Sequence, residues 1–200
     1  MNAVKHSYRK DYWTNQPFHC EIWCEKDAVI GSIEDTTSEL GVIVRVGRGF
    51  QSSTRVREIA TLFNQINKPK VVFYLGDFDS SGIDIERDVR DRVRRYTRSF
   101  EMRRLAIFGE DIRKFKLPPQ RIKTEDPRAE TFRDMHGNQC VELDALPPSE
   151  LRRRVRTAVT SLINKEAWER ALTTEGVELG SIDDFVSHWP RIAYRGLGTP

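Results

Sequence analysis

The sequence predicts an α/β fold: a mostly parallel four-stranded sheet flanked by helices, with a helical extension at the C-terminal end. Three observations predict it. Short apolar runs rich in branched and aromatic residues recur along the chain. Amphipathic stretches of helical length separate them, and this alternation is the signature of parallel strands joined by crossover helices. The chain has 200 residues, 38% of them apolar and 32% charged, enough for one full domain with a sizeable core and an appendage.

In chain order, residues 1–19 are polar and aromatic, with Tyr8, Tyr12 and Trp13, and read as a lead-in strap. Strands are expected at Cys20–Cys24, Val42–Val46, Val71–Leu75 and Leu105–Phe108. A first helix is expected from Asp27 to Leu40, with Ile30, Ile33, Thr37 and Leu40 inward. A second runs from Ser53 to Ile66 on Val56, Ile59, Ala60 and Phe63. A third runs from Ile83 to Arg98 on Ile85, Val89, Val93 and Tyr96. Past Phe108 the pattern loosens into proline-punctuated loops. Val141-Glu-Leu-Asp-Ala-Leu leads into a helix from Ser149 to Trp168, opened by Pro148 and Glu150. The glycines at 176, 180, 196 and 198 mark a loose tail. The expected division is strap 1–19, α/β domain 20–146, and C-terminal helix with tail 147–200.

The chain has no run of 18 apolar residues, and its opening MNAVKHSYRKDYW has no apolar signal core. A cytoplasmic protein without a membrane span is expected. Cys20, Cys24 and Cys140 lack the spacing of a disulfide framework or a zinc site and read as reduced thiols. Net charge is +3, which decides little, but its distribution is uneven. Eight arginines lie between Arg87 and Arg104, and a second cluster comprises Arg152, Arg153, Arg154 and Arg156. Arg87, Arg90, Arg94 and Arg98 recur at helical spacing opposite Val89 and Val93. That stripe is either a solvated helix face or a set of phosphate contacts.

The sharpest chemical signal is Val71-Val-Phe-Tyr-Leu-Gly-Asp-Phe-Asp-Ser-Ser-Gly82. Asp77 and Asp79 stand two apart on extended backbone, so they point the same way. They emerge at the carboxyl end of a central parallel strand, where α/β sheets place ligands. Like charges this close call for a proton or a divalent cation, and an all-oxygen set favours Mg²⁺ or Mn²⁺. The plainer reading is a turn with one aspartate capping the next helix. Glu25 ends the first strand, at the same sheet edge, and three converging carboxylates can hold a metal and still supply a general acid or base. Further candidates are Lys26, Asp84, Arg48 in the Gly-Arg-Gly turn after the second strand, and Arg87. Each has a plain alternative as a solvated, capping or ion-paired residue, as do Glu142 and Asp144.

These residues resemble a Toprim domain, with its glutamate ending the first strand and its Asp-x-Asp ending the third. Leu75-Gly-Asp-Phe-Asp-Ser-Ser-Gly-Ile-Asp-Ile85 is similar to the corresponding run in the Toprim-bearing chain of topoisomerase VI, with Ser81 where a proline is common. Trp13-Thr-Asn-Gln-Pro-Phe, Trp23-Cys-Glu-Lys-Asp-Ala and Val141-Glu-Leu-Asp-Ala-Leu resemble small phage and bacterial Toprim-like proteins. The resemblance implies a Rossmann-like Toprim fold, Glu25 as general acid/base, Asp77 and Asp79 as ligands of Mg²⁺ (or Mn²⁺), and a nucleic-acid partner, DNA ahead of RNA. The expected activity is metal-dependent phosphodiester cleavage, with Arg90, Arg94 and Arg98 on the nucleic acid. The alternative is a non-catalytic nucleic-acid-binding or topoisomerase VI-like subunit. In the topoisomerases the nucleophilic tyrosine sits on a winged-helix domain ahead of the Toprim. Only 19 residues precede the first strand here, so a protein partner would have to supply that domain. Haloacid dehalogenase-type phosphatases and receiver domains also carry acidic pairs after a strand, but fit this context poorly.

Overall fold

The computed structural model describes residues 8–47, 52–122 and 128–196, with side chains placed through residue 188. The chain divides into two compact units. One is Pro17–Ile163; the other joins the described part of residues 1–16 to the segment from Asn164 onward.

The larger unit is α/β. Strands β1 (His19–Cys24), β2 (Ile43–Val46), β3 (Lys70–Leu75) and β4 (Phe100–Ala106) form one sheet in the order β2-β1-β3-β4, with every pairing parallel. Apolar residues fill both parities of β1 and β3 because these central strands are covered on both faces. Trp23, Val72 and Tyr74 face helices α2 (Ser53–Gln65) and α3 (Ser80–Tyr96) and close a core with Val56, Ile59, Phe63, Val89, Val93, Phe100 and Met102. The opposite parity, with Ile22, Cys24, Phe73 and Leu75, is equally buried. Helix α1 (Ile30–Glu39) packs against α6 (Pro148–Thr160), and α6 against β4.

Between β4 and α6 the chain adds α4 (Gly109–Lys114), a two-stranded antiparallel ribbon of β5 (Gln120–Arg121) and β6 (Gln139–Cys140), and α5 (Ala129–His136). Immediately after β6, Val141 exchanges two backbone hydrogen bonds with Phe78 at 2.9 and 3.0 Å. This bridge brings the Glu142-Leu143-Asp144 turn to the carboxyl end of β3. Asp111 is fully buried and anchors the addition: its carboxylate accepts from the Phe108 backbone N–H at 2.9 Å and from both ends of the Arg154 guanidinium at 2.9 and 2.6 Å.

Several boundaries differ from the sequence expectation. The fourth strand starts at Phe100, five residues before Leu105, because it is an edge strand: Phe100 and Met102 are buried while Glu101 and Arg103 face solvent. Helix α3 ends at Tyr96, leaving Arg98 in the turn beyond it, and Tyr96 is 47% exposed rather than inward. The expected helix from Ser149 to Trp168 is two helices. Asn164 separates them, its side chain accepting from the Ala167 N–H at 2.9 Å as the cap of α7 (Lys165–Gly196).

In the smaller unit, the segment expected as a loose tail is therefore helical. Gly176 and Gly180 each cost the helix about 1 kcal/mol relative to alanine. The packing of its other face outweighs them. Tyr12 and Trp13 pack against Trp168 with ring centroids at 4.8 and 6.4 Å. The Tyr12 hydroxyl donates to the buried Glu175, and Lys10 pairs with Glu178 at 2.8 Å. Among the described residues, no helix is long and apolar enough to cross a membrane.

Candidate functional site

The site forms where β1 and β3 end side by side. Their ladder closes on Cys24 opposite Leu75, and the Glu25 N–H still donates to the Leu75 carbonyl at 2.8 Å. Beyond that point Glu25 Oε2 accepts from the Asp77 backbone N–H at 3.1 Å. Two glycines make this approach sterically feasible. A Cβ on Gly76 would lie 2.8 Å from Glu25 Oε2 and 2.5 Å from Tyr74 Cε1. A Cβ on Gly82 would lie 2.5 Å from the Asp77 carbonyl oxygen, where the first turn of α3 presses on the acidic loop. Asp79 is the N-cap of α3, with Oδ1 accepting from the Gly82 N–H at 2.6 Å. The capping role that the sequence left open for one aspartate is thus filled by Asp79.

The electrostatics of the two inner carboxylates share a cause. Burial pushes the Glu25 carboxyl above its ordinary value, and the charges of Asp77 and Asp79 add to the rise. Asp77 is raised as well, again by burial first. This holds although Oδ1 accepts from the Leu143 N–H at 2.8 Å and Oδ2 pairs with Lys26 Nζ at 3.0 Å. Lys26 is not the solvated lysine of the plain reading. Its ammonium also sits 2.9 Å from Glu142 Oε2 and 4.0 Å from Asp144 Oδ1. Burial opposes its charge, but the bonds to Glu142 and Asp77 outweigh that and raise its pKa. Glu142 and Asp144 therefore belong to the site through Lys26, and Gln120 steadies Glu142 at 3.1 Å.

Two residues were missed by the sequence reading. Arg104, on β4, donates to the carbonyls of Ile107 at 3.1 Å, Gly76 at 3.0 Å and Asp77, and pairs with Glu86 of α3 at 2.8 Å. It fixes the backbone that presents the acidic pair. An arginine on a charged edge strand carries no local signal of that role. Tyr74, opposite Arg104 in the register, is fully buried. Its hydroxyl has no hydrogen-bond partner, and its ring crowds the same point above Gly76 as Glu25 Oε2.

The remaining candidates lie elsewhere. Asp84 is not drawn into the acidic cluster; it pairs with Arg87 and with Arg128 at 3.4 Å, and these partners lower its pKa. Arg90 spends its charge on Glu86 at 3.3 Å and Asp91 at 3.9 Å. Arg94 is exposed, and Arg98 is exposed beyond the helix end. The stripe on α3 is thus Arg87, Arg90 and Arg94. Arg48 lies outside the described residues. Cys20, Cys24 and Cys140 are free and buried, and burial pushes the Cys20 thiol up to about 12 and the Cys24 thiol up to about 11. Tyr8 and Tyr12 donate to Glu178 and Glu175 in the other unit. Among the described residues, no three His, Cys, Asp or Glu side chains stand together at metal-ligand positions.

What these groups can do is polarise and exchange protons at a hard, anionic centre: two carboxylates with a raised proton affinity, a lysine ammonium and a rigid backbone turn share one end of the sheet. No protein-family model matches the sequence, and comparison with curated proteins yields no match.

Proposed function

We propose that this chain is a Toprim-type protein that acts on nucleic acid by Mg²⁺-dependent (or Mn²⁺-dependent) phosphodiester cleavage. Glu25 serves as general acid/base, and Asp77 and Asp79 hold the metal. The observation that carries the reading is the meeting of Glu25 with the Asp77 backbone at 3.1 Å, across two neighbouring parallel strands.

The donor set suits such an ion. It is all oxygen, as Mg²⁺ prefers, and burial, with the neighbouring carboxylate charges adding to it, raises the pKa of both Glu25 and Asp77. A bound divalent ion would neutralise charge on the phosphate and lower the pKa of attacking water. Glu25, with its raised proton affinity, takes a proton from the nucleophile or returns one to the leaving oxygen. Arg104 keeps the Gly76 and Asp77 carbonyls fixed while this happens. Lys26 holds Asp77 through Oδ2 and places positive charge where a phosphate oxygen would approach.

A second reading has its own support. Lys26 already neutralises Asp77, and no three-ligand group stands formed among the described residues. Those facts favour a nucleic-acid-binding subunit, without cleavage by this chain alone.

Labelled DNA and RNA, incubated with the protein in Mg²⁺, Mn²⁺ or chelator, separate the two. The first reading expects cleavage that chelator abolishes and that Glu25→Gln slows by about 10²–10⁴-fold, with Asp77→Ala inactive at retained folding. Binding with every strand left intact under both metals supports the second reading and rejects the first.

A further inference from the structure

We propose that a pocket beside the acidic pair receives a nucleobase from a single nucleic-acid strand. This inference rests on nucleic acid being the substrate, and adds which form of it the site takes.

The pocket has a volume of about 740 Å³, within the range of small-molecule sites. Phe78 supplies its floor. This residue stands between Asp77 and Asp79 in the chain, so the pocket shares the backbone of the acidic turn, with the Phe78 ring on the side away from the two carboxylates. Its ring meets Phe132 and His136 nearly edge-on, with centroids at 5.3 and 5.4 Å. Phe108 forms another wall. At the rim, Met135 is 64% exposed and the His136 ring also faces solvent. The exposed thioether, and an imidazole that itself packs on Phe78 and Phe132, offer apolar surface against which a planar base can stack.

Charge is arranged to match. Arg113 lines the pocket, is exposed, and forms no ion pair among the described residues. It is a cation available to the phosphate attached to a bound base. Glu110, also in the wall, is an acceptor suited to an exocyclic amine. Aromatic and thioether surface, one unspent cation and one acceptor fit a nucleotide better than a bare phosphate, which would leave the rings and the thioether unused. A duplex keeps its bases stacked and paired, so only an unpaired strand can present one here.

Fluorescence anisotropy with three labelled 20-mers tests this: a mixed-sequence single strand, its duplex, and a single strand of abasic sugar-phosphate. Wild type should bind the base-bearing strand about tenfold more tightly than the other two. Met135→Ala and His136→Ala, both at exposed positions, should erase that preference while binding of the abasic strand changes little. Equal affinity for all three ligands, no binding of any of them at low salt, or a preference that survives both substitutions overturns the proposal. Cleavage is read separately on the same strands with Mg²⁺. Base-dependent binding without cleavage keeps the pocket and removes the catalytic reading. Cleavage with base-independent binding does the reverse.

Discussion

Strand β1 and the residue just past it carry two glutamates on the same face, four residues apart, and the sheet treats them in opposite ways. Glu21 lies deep in the unit at 1% exposure. Arg45 grips it at 2.7 and 2.9 Å, the Trp23 indole donates at 2.7 Å, and His19 sits at 3.0 Å. Burial alone would raise its pKa, but these partners carry it down to about 2. Glu25 is less buried, yet its pKa rises: burial pushes it up, the charges of Asp77 and Asp79 add to the rise, and the Asp77 backbone N–H offsets only part of it. The same residue type on the same stretch of chain is satisfied in one place and frustrated in the other. Folding alone selects for the first arrangement. The second persists where a ligand or a reaction completes it.

The comparison is broken most severely at Glu21. Glu21→Ala strands the half-buried Arg45 charge and removes the acceptor of the Trp23 indole. The expected loss is about 3–5 kcal/mol, measured by urea unfolding at pH 7. The effect depends on pH with a definite sign. The folded-state pKa of about 2 lies below the ordinary value of 4.5, so Glu21 contributes its full stabilisation above about pH 4.5. That contribution fades as pH falls toward 2. The gap between wild type and variant should therefore narrow in acid; a gap that stays constant down to pH 3 would mean the carboxylate charge is not what matters.

At Glu25 the sign reverses. Glu25→Gln keeps an oxygen to accept the Asp77 N–H and replaces a repelled charge with an amide that donates to carboxylates. Stability should rise by about 0.5–2 kcal/mol at neutral pH. Because the folded-state pKa is raised, ionised Glu25 costs stability above that pKa, and the cost vanishes once pH falls below the ordinary 4.5. The gain should disappear near pH 4. A variant less stable than wild type at pH 7 would place Glu25 with Glu21, among structural carboxylates.

A third substitution, Tyr74→Phe, probes the same frustration on β3. A buried hydroxyl without a partner costs folding about 1–3 kcal/mol, and the aromatic ring is kept. Thermal unfolding should find the variant at least as stable as wild type, by up to about 1 kcal/mol. A clear destabilisation would mean that the hydroxyl bonds to an ordered water.

How much of this was legible depends on whether the cause is local. Strands β1 and β3 announce themselves as apolar runs because both faces are covered, and Glu25 could be paired with Asp77 because each ends such a run. The start of β4 was hidden by Glu101 and Arg103, which face solvent from an edge strand. Glycines at 176 and 180 looked like breaks because the surface that holds α7, presented by Tyr12 and Trp13, is some 150 residues away in the chain. Arg104 was invisible as a site residue for a related reason, and Lys26, a candidate beside Glu25, gave no sign of the carboxylates it would hold. Their roles are set by Glu142, Glu86 and two carbonyls, which only the assembled sheet end brings near.

The smallest expected effect lies on the outer face of α3, where ion pairs have the same chemistry as Glu21–Arg45 but not its surroundings. Arg87, with a side chain 62% exposed, pairs with Asp84 three residues away. Water screens that attraction, and two long side chains lose freedom to make it. Arg87→Ala should leave stability nearly unchanged, in contrast to Glu21→Ala, although both remove an Arg–carboxylate contact. If the stripe of Arg87, Arg90 and Arg94 exists for phosphates, the substitution should show instead in binding. Affinity for a labelled DNA strand should fall, and the slope of log affinity against log salt should flatten by about 0.7–0.9 for the one charge removed. A variant with unchanged stability and an unchanged slope would make this face a solvated helix surface and leave nucleic-acid contact to the sheet end alone.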